Sequence, residues 1–101
     1  MILEMVVVQV RTGMGADYER AFYESAHLIA ACQGYLGHRL LRCIEIPDKF
    51  VVLVHWQRLD DHVAFNQAPQ YQLWKSRIHP FYAAPSVVEH FHTVAAGGTS
   101  S

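Results

Sequence analysis

Two histidines in this sequence stand where a base could act on a bound substrate. His62 follows two consecutive carboxylates, Asp60 and Asp61, near the start of a helical pattern, and His55 lies in the apolar run FVVLVHW. An imidazole titrates close to neutral pH, so either side chain could take a proton from a phenol or an enol. For His55 a hydrogen-bonded structural histidine is the simpler alternative, and for His62 the alternative is that it only shapes the start of the helix. We take His55 and His62 as the candidate bases and leave these alternatives open.

Other histidines form pairs that do not complete a metal site. His90 and His92 are two residues apart on a predicted strand, so both point to one face, and such a pair holds a metal only with a third ligand. The sequence fixes no third ligand, and we expect this pair to line a dimer interface or a cavity wall. Glu24 and His27 form one E-x-x-H pair, whereas a di-iron carboxylate site needs two. We therefore predict no bound metal.

Aromatic residues around Pro69 are the best candidates for the wall of a ligand pocket. A proline inside a helical pattern interrupts the helix, and such interruptions often open space beneath them. Tyrosine hydroxyl groups need partners when buried, so the two tyrosines are the more informative members. Ordinary core packing between helix and sheet is the open alternative. The predicted pocket residues are Phe65, Tyr71, Trp74, Phe81 and Tyr82.

A pattern of strand, helix, strand, strand, helix and strand positions these side chains. Apolar stretches predict strands at residues 2–10, 35–45, 50–57 and 87–94. Apolar spacings of three and four predict a helix over 16–33 and a second helical segment, which Pro69 divides into 59–67 and 70–78. The small, polar stretch 95–101 predicts a flexible C-terminal tail after a single domain of residues 1–94.

This order of elements is typical of the α+β ferredoxin-like fold, βαββαβ, a four-stranded antiparallel sheet with both helices on one face. The predicted strands are apolar at nearly every position, so the other face of the sheet should also be buried. One chain of 101 residues has no further element to cover it. We therefore expect a homodimer in which the sheets of two copies pack together.

Composition excludes several classes of partner. Eight Lys and Arg residues against nine Asp and Glu residues give a formal charge of -1, without the basic excess of nucleic-acid binders. No apolar run reaches the roughly 18–20 residues of a membrane span. The apolar N-terminus carries Glu4 and lacks the basic region of a signal peptide. Two widely separated cysteines predict no disulfide framework, and we expect a reducing, cytoplasmic location.

Four runs of sequence resemble the antibiotic biosynthesis monooxygenase (ABM) family of dimeric α/β-barrel proteins. They are GYLGHRLLR in the second predicted strand, VVLVHWQRLDDHVAF across the third strand and the following helix, PQYQLWKSRIHPF after it, and VVEHFHTV in the last strand. The likeness extends over residues 2–94 and implies the fold and a homodimer. Some members of this family oxidise phenolic polyketides with molecular oxygen and no cofactor, and others bind and degrade haem.

The haem-degrading branch matches this sequence poorly at its functional positions. Members of that branch have an asparagine, a tryptophan and a histidine where this chain has Val6, Phe65 and Lys75. A protonated, strongly hydrated lysine is a poor iron ligand. His79 lies one turn beyond Lys75 and could substitute only if the helix shifts.

The cofactor-free branch matches at one of three positions. Its members place an asparagine, a tryptophan and a tyrosine around the helical segment. Phe65 again replaces the tryptophan, and Tyr71 matches the tyrosine. The asparagine position falls near Asp61, with Asn66 as another nearby amide.

The resemblance and the residues together predict a cofactor-independent monooxygenase. Its substrate would be a small aromatic or enolic molecule that meets molecular oxygen in a pocket between the helices and the sheet. Tyr71 is expected to orient the substrate oxygen, and His55 or His62 to take the proton. The other pocket residues would form the wall: Phe65, Trp74, Phe81 and Tyr82. A non-catalytic dimeric module that binds a small ligand is the alternative, and haem or metal binding is a third.

Overall fold

The computed structural model describes residues 1–98, in which four strands form one sheet. The strands are β1 (Ile2–Gln9), β2 (Tyr35–Arg42), β3 (Lys49–Trp56) and β4 (Val87–Phe91). The helices are α1 (Gly15–Ser25), α2 (His27–Ala30), α3 (Leu59–Gln67) and α4 (Pro69–Ile78), and a 3-10 turn, His79–Phe81, follows α4. The last three residues of the predicted tail, 99–101, lie outside the described residues.

Strand pairing confirms the predicted ferredoxin-like fold. The strand order is β2-β3-β1-β4, and every neighbouring pair is antiparallel. Side chains alternate between the two faces of a strand, so one face of each strand can meet the helices. On that face Val8, Phe50 and Trp56 are fully buried in a core that they share with Tyr18 of α1 and Ile78 of α4.

Pro69 divides the second helical segment as predicted. It occupies the first turn of α4, where the missing N–H of proline leaves no hydrogen bond unmade. The first segment differs from the single helix predicted over 16–33, because α1 and the four-residue α2 are separated at Ala26. The Ala26 carbonyl accepts hydrogen bonds from the amides of Ile29 and Ala30, at 3.1 and 3.0 Å. The spacing of apolar side chains does not predict this local tightening of the helix.

Two strands are shorter than predicted because their partners end. β4 stops at Phe91 instead of residue 94, where it pairs with Leu3 near the beginning of β1. β2 stops at Arg42 instead of residue 45, and the connection to β3 is correspondingly longer. Among residues 1–98, no helix has the length and apolar character needed to cross a membrane.

The face of the sheet turned away from the helices carries a continuous apolar surface, which we call the open face. Its clearest feature is a row of four side chains, one from each strand: Leu41, Val51, Val7 and Val87. The two at the ends of the row, Leu41 and Val87, are 41% and 56% exposed. Apolar side chains are therefore in contact with solvent on both edges of this face within one protomer.

Gly34 connects α2 to β2 in a backbone conformation that favours glycine. Its φ is +82°, and a Cβ atom there would overlap the carboxylate of Asp61. That carboxylate accepts a hydrogen bond from the Arg58 amide at 3.1 Å at the start of α3. Gly13 also has a positive φ, +77°, but a Cβ atom there would meet open space. Comparing alanine substitutions at the two glycines therefore separates the cost of backbone strain from the cost of steric overlap.

We expect Gly34→Ala to lower the free energy of unfolding by about 3 kcal/mol and Gly13→Ala by about 1 kcal/mol. Both variants strain the backbone, but only Gly34→Ala must also displace Asp61. Urea unfolding followed by circular dichroism measures both free energies. Equal losses in the two variants would show that the close approach of Gly34 and Asp61 has no energetic weight.

Candidate functional site

A cavity of about 320 Å³ lies between the sheet and the helices α3 and α4. Its floor consists of side chains from β1, β3 and β4, and its walls come from the two helices and the segment that follows them. Ala68 links α3 to α4 in an extended conformation, with φ -86° and ψ 152°, so the two helices do not continue as one rod. The change of direction before Pro69 therefore opens the space that the sequence predicts.

The floor of the cavity has a polar row and an apolar row. Strand pairing places Glu4 of β1 beside Val54 of β3 and His90 of β4 on the helix-facing side. Two residues further along each strand, the same face carries only valines: Val6, Val52 and Val88. We call this second set the valine row. A ligand on this floor would meet acid–base groups at one end and hydrocarbon at the other.

Two hydrogen bonds and one close acid–base contact join the polar row to α3. Trp56 Nε1 donates to Glu4 Oε1 at 2.9 Å, and His62 Nε2 lies 3.3 Å from Glu4 Oε2. On its other side, His62 Nδ1 lies 2.7 Å from His90 Nε2. The His62 ring also stacks on Trp56, with ring centroids 5.5 Å apart and planes 15° apart. The orientation of the imidazole is therefore fixed by contacts to three strands.

Burial controls the charge of the Glu4 and His62 side chains. It raises the pKa of the Glu4 carboxyl, although the hydrogen bond from Trp56 offsets part of that rise. Burial, with a smaller effect of neighbouring His90, lowers the pKa of His62 to about 4. His62 is therefore neutral at neutral pH, and a neutral imidazole has one N–H donor and one nitrogen acceptor. Such a ring can take up a proton at one nitrogen while it releases one from the other.

A second polar group, made of aromatic side chains, also lines the cavity. His79 stacks on Tyr82 with centroids 4.8 Å apart, and Tyr71 meets the Phe65 ring edge-on at 5.5 Å. Burial raises the pKa of Tyr82 to about 12, and the nearby Tyr71 and Glu4 act in the same direction. Burial, followed by the charge of Lys75, lowers the pKa of His79. Tyr82 is therefore protonated and His79 neutral at neutral pH, so this group is polar without being charged.

The structure brings most of the predicted site residues to this cavity. Five of them are among its lining side chains: His62, Phe65, Tyr71, Trp74 and Tyr82. They come from α3, α4 and the residue after the 3-10 turn, on either side of Pro69. The predicted pocket near Pro69 thus corresponds to a real cavity.

The structure places two predicted site residues away from the cavity. His55 pairs with Leu3 and lies between the buried residues Val54 and Trp56, so strand alternation directs its side chain to the open face. Phe81 packs its ring against Tyr18 in the core, with centroids 6.2 Å apart. His62 is therefore the one of the two candidate bases that lies at the cavity.

Three titratable residues that line the cavity are not among the predicted site residues: Glu4, His79 and His90. Glu4 is in phase with the core-facing valines of β1, at Val6 and Val8, and this phase is the signal that a carboxylate faces inwards. His90 was considered only as one half of a pair with His92, which is exposed. His79 was considered only as a substitute iron ligand. Among residues 1–98, no group of three or more His, Cys, Asp or Glu side chains is arranged to hold a metal ion.

Two relatives cover nearly the whole chain. An uncharacterised protein from Bacillus subtilis, YczJ, is 36% identical over 93% of this chain and 100% of its own length. A mycobilin-producing haem oxygenase from Mycobacterium tuberculosis is 25% identical over 97% of this chain and 94% of its own length.

Solved structures share the fold. The crystal structure of a candidate antibiotic biosynthesis monooxygenase from Bordetella bronchiseptica has a TM-score of 0.90 and 30% identity, covering 93% of this chain and 97% of that one. SnoaB, a cofactor-independent oxygenase from Streptomyces nogalater, has a TM-score of 0.83 at 19% identity, with 94% of each chain covered. The family model for antibiotic biosynthesis monooxygenases matches residues 1–77. Because that match covers most of the sequence and the fold agrees, the chain belongs to the antibiotic biosynthesis monooxygenase family.

Proposed function

We propose that this protein is a cofactor-independent monooxygenase whose substrate is a small, neutral aromatic or enolic molecule. The observation that carries the proposal is a neutral, buried imidazole, His62, held between Glu4 and His90 at one end of the cavity. Membership of the family supports it, as does the likeness in fold to the cofactor-independent oxygenase from S. nogalater.

The reaction begins with removal of a proton from a phenol or an enol, which leaves the electron pair on the substrate. The resulting electron-rich anion can react with O2 at carbon. For a methylene carbon next to an enolisable carbonyl system, as in an anthrone, the balanced change is CH2 + O2 → C=O + H2O. The carbon supplies all the electrons that O2 accepts, so the reaction needs no separate reductant.

The side chains around the cavity divide this task between them. Glu4, His62 and His90 together accept the proton. Tyr71 donates a hydrogen bond to a substrate oxygen and so orients it. Phe65, Trp74 and the valine row form an apolar surface that excludes water from the anion and admits O2, which is itself apolar.

We expect His62→Ala and Tyr71→Phe each to lower turnover about tenfold or more, because the first removes the path for the proton and the second the donor to the substrate. Oxygen uptake with 1,8-dihydroxyanthrone, an enolisable aromatic ketone, measures the rate. His27→Gln, on the exposed surface of α2, is the matched control and should keep the wild-type rate.

Two outcomes of this experiment would contradict the assignment. If His55→Ala lost as much turnover as His62→Ala, His55 on the open face would also be needed for the reaction, which would contradict the assignment of the base to the cavity. Binding of the anthrone without any oxygen uptake by the wild-type protein would favour the non-catalytic ligand-binding module.

The charge of the cavity selects neutral ligands. No lysine or arginine is among the described residues that line it, and Glu4 is its one acidic side chain. We therefore expect 2-naphthol to bind about tenfold more tightly than 6-hydroxy-2-naphthoate, whose carboxylate would lose its water without gaining a cation. Isothermal titration calorimetry compares the two. Equal affinities would show that the carboxylate finds a partner and would contradict this selectivity.

Haem tests the same property, since it carries two carboxylates. Of the lining histidines, His62 and His90 hydrogen-bond to each other, so His79 is the candidate iron ligand. The cavity provides no cation for the carboxylates, and we expect no shift of the Soret band on titration with haem. A shift that His79→Ala abolishes would instead support haem binding, as in the M. tuberculosis relative.

We also propose that two copies of the chain pack their open faces together. The row next to Leu41 and Val87 has Arg39 at the β2 edge and Glu89 at the β4 edge. A two-fold axis parallel to the strands would lay the basic edge of one sheet over the acidic edge of the other. Apolar area and charge are both complementary in that arrangement.

Leu41→Glu should convert a dimer into a monomer, because it places a charge in the middle of the apolar contact. Leu73→Glu, on the outer side of α4, is a matched control, since Leu73 is 44% exposed and Leu41 is 41% exposed. Sedimentation velocity at micromolar concentration measures the mass of each variant. A wild-type protein that sediments as a single chain would refute the proposed dimer.

A further inference from the structure

Close polar contacts occupy three of the four ring nitrogens of His62 and His90. His62 Nε2 faces Glu4 Oε2 at 3.3 Å, and His62 Nδ1 faces His90 Nε2 at 2.7 Å. His90 is an exposed residue that also lines the cavity, and its Nδ1 has no hydrogen-bond partner within residues 1–98. His62 therefore cannot meet a substrate proton with either nitrogen unless a contact breaks, whereas His90 can.

We infer that His90 Nδ1 is the atom that takes the substrate proton, and that His62 and Glu4 relay and store it. The inference rests on the proposed function, since it gives the path of the proton which that reaction releases. His90 is then the catalytic base, and His62 and Glu4 are positioning residues that act through it.

The relay is a sequence of three proton transfers. The substrate O–H bond breaks, its electron pair stays on the substrate oxygen, and its proton binds His90 Nδ1. The proton on His90 Nε2 passes to His62 Nδ1, and the proton on His62 Nε2 passes to Glu4 Oε2. At the end both imidazoles are neutral again, and Glu4 is a carboxylic acid.

This path moves a negative charge without creating one. Before the transfer the charge is on Glu4, and afterwards it is on the substrate oxygen, so the cavity never holds two buried anions. Burial raises the pKa of Glu4 and so favours the proton on this carboxyl. Trp56 holds Oε1, which leaves Oε2 to receive the proton. Tyr82 and His79 are neutral at neutral pH and do not compete for it.

Nuclear magnetic resonance of ¹⁵N-labelled histidine shows which ring nitrogen of each histidine carries the proton in the ligand-free protein, and so gives the direction of the relay. In the form of the protein in which both rings are neutral, we expect His62 and His90 each to carry the proton on Nε2. In Glu4→Gln the preference of His62 for that form should disappear, because an amide can donate as well as accept. If His62 of the wild-type protein carried its proton on Nδ1, the donors and acceptors between Glu4, His62 and His90 would be reversed, and the inference would be overturned.

Bound 4-nitrophenol, whose phenolate is coloured, tests proton storage. In the wild-type protein the ratio of bound phenolate to bound phenol should be constant between about pH 6 and 8, because both forms contain the same number of protons. In Glu4→Gln and His90→Gln the proton must leave for solvent, and the ratio should rise about tenfold per pH unit. His92→Gln, which changes another exposed histidine just after the end of β4 that does not line the cavity, should behave as the wild type.

The two proposals can fail separately. A wild-type ratio that rises with pH as steeply as that of Glu4→Gln would overturn the relay even if the protein consumes oxygen. A constant ratio without oxygen uptake would support the relay and contradict the monooxygenase. If 4-nitrophenol does not bind, the histidine spectra decide the direction of the chain by themselves.

Discussion

A carboxylate buried at a core-facing position of a central strand is the constraint on which the rest of this structure depends. Glu4 occupies the same face of β1 as Val6 and Val8, where an unpaired carboxylate would be costly. Its two oxygens contact Trp56 at the end of β3 and His62 in α3. One buried group thus fixes the strand-to-helix corner and the helix that covers it, and stability and site geometry depend on the same bonds.

Strand alternation turns this constraint into a cavity with two unlike ends. Since Glu4 and His90 are in register on neighbouring strands, their row is polar, and the valine row two residues away is entirely apolar. The change of direction before Pro69 keeps α3 and α4 from covering both rows completely. An asymmetric aromatic molecule would therefore be oriented by its hydroxyl group before any chemistry takes place.

Local signals in the sequence were enough for the fold but not for the whole site. The order of elements and the division at Pro69 follow from apolar spacing and from the missing N–H of proline, and the structure confirms both. The sequence does not indicate which face of the sheet carries the His55 side chain, because FVVLVHW is apolar on both faces and so lacks the period-two signal that orients a strand. Glu4 was obscured for the same reason, since Met5 and Val7 are apolar too. The strand ends depend on pairing partners distant in sequence.

The positions that distinguish this chain from the haem-degrading members point to the same chemistry. Val6 belongs to the valine row, Phe65 forms part of the wall, and Lys75 lies exposed outside the cavity. At the positions that the resemblance to haem-degrading members equates with their functional residues, this chain has two apolar side chains at the cavity and a lysine outside it. The polar side chains of the cavity include the Glu4 row, His62 and two tyrosines, Tyr71 and Tyr82. The proposed preference for a neutral ligand therefore depends on the side chains that line the cavity, since no lysine or arginine is among the described ones.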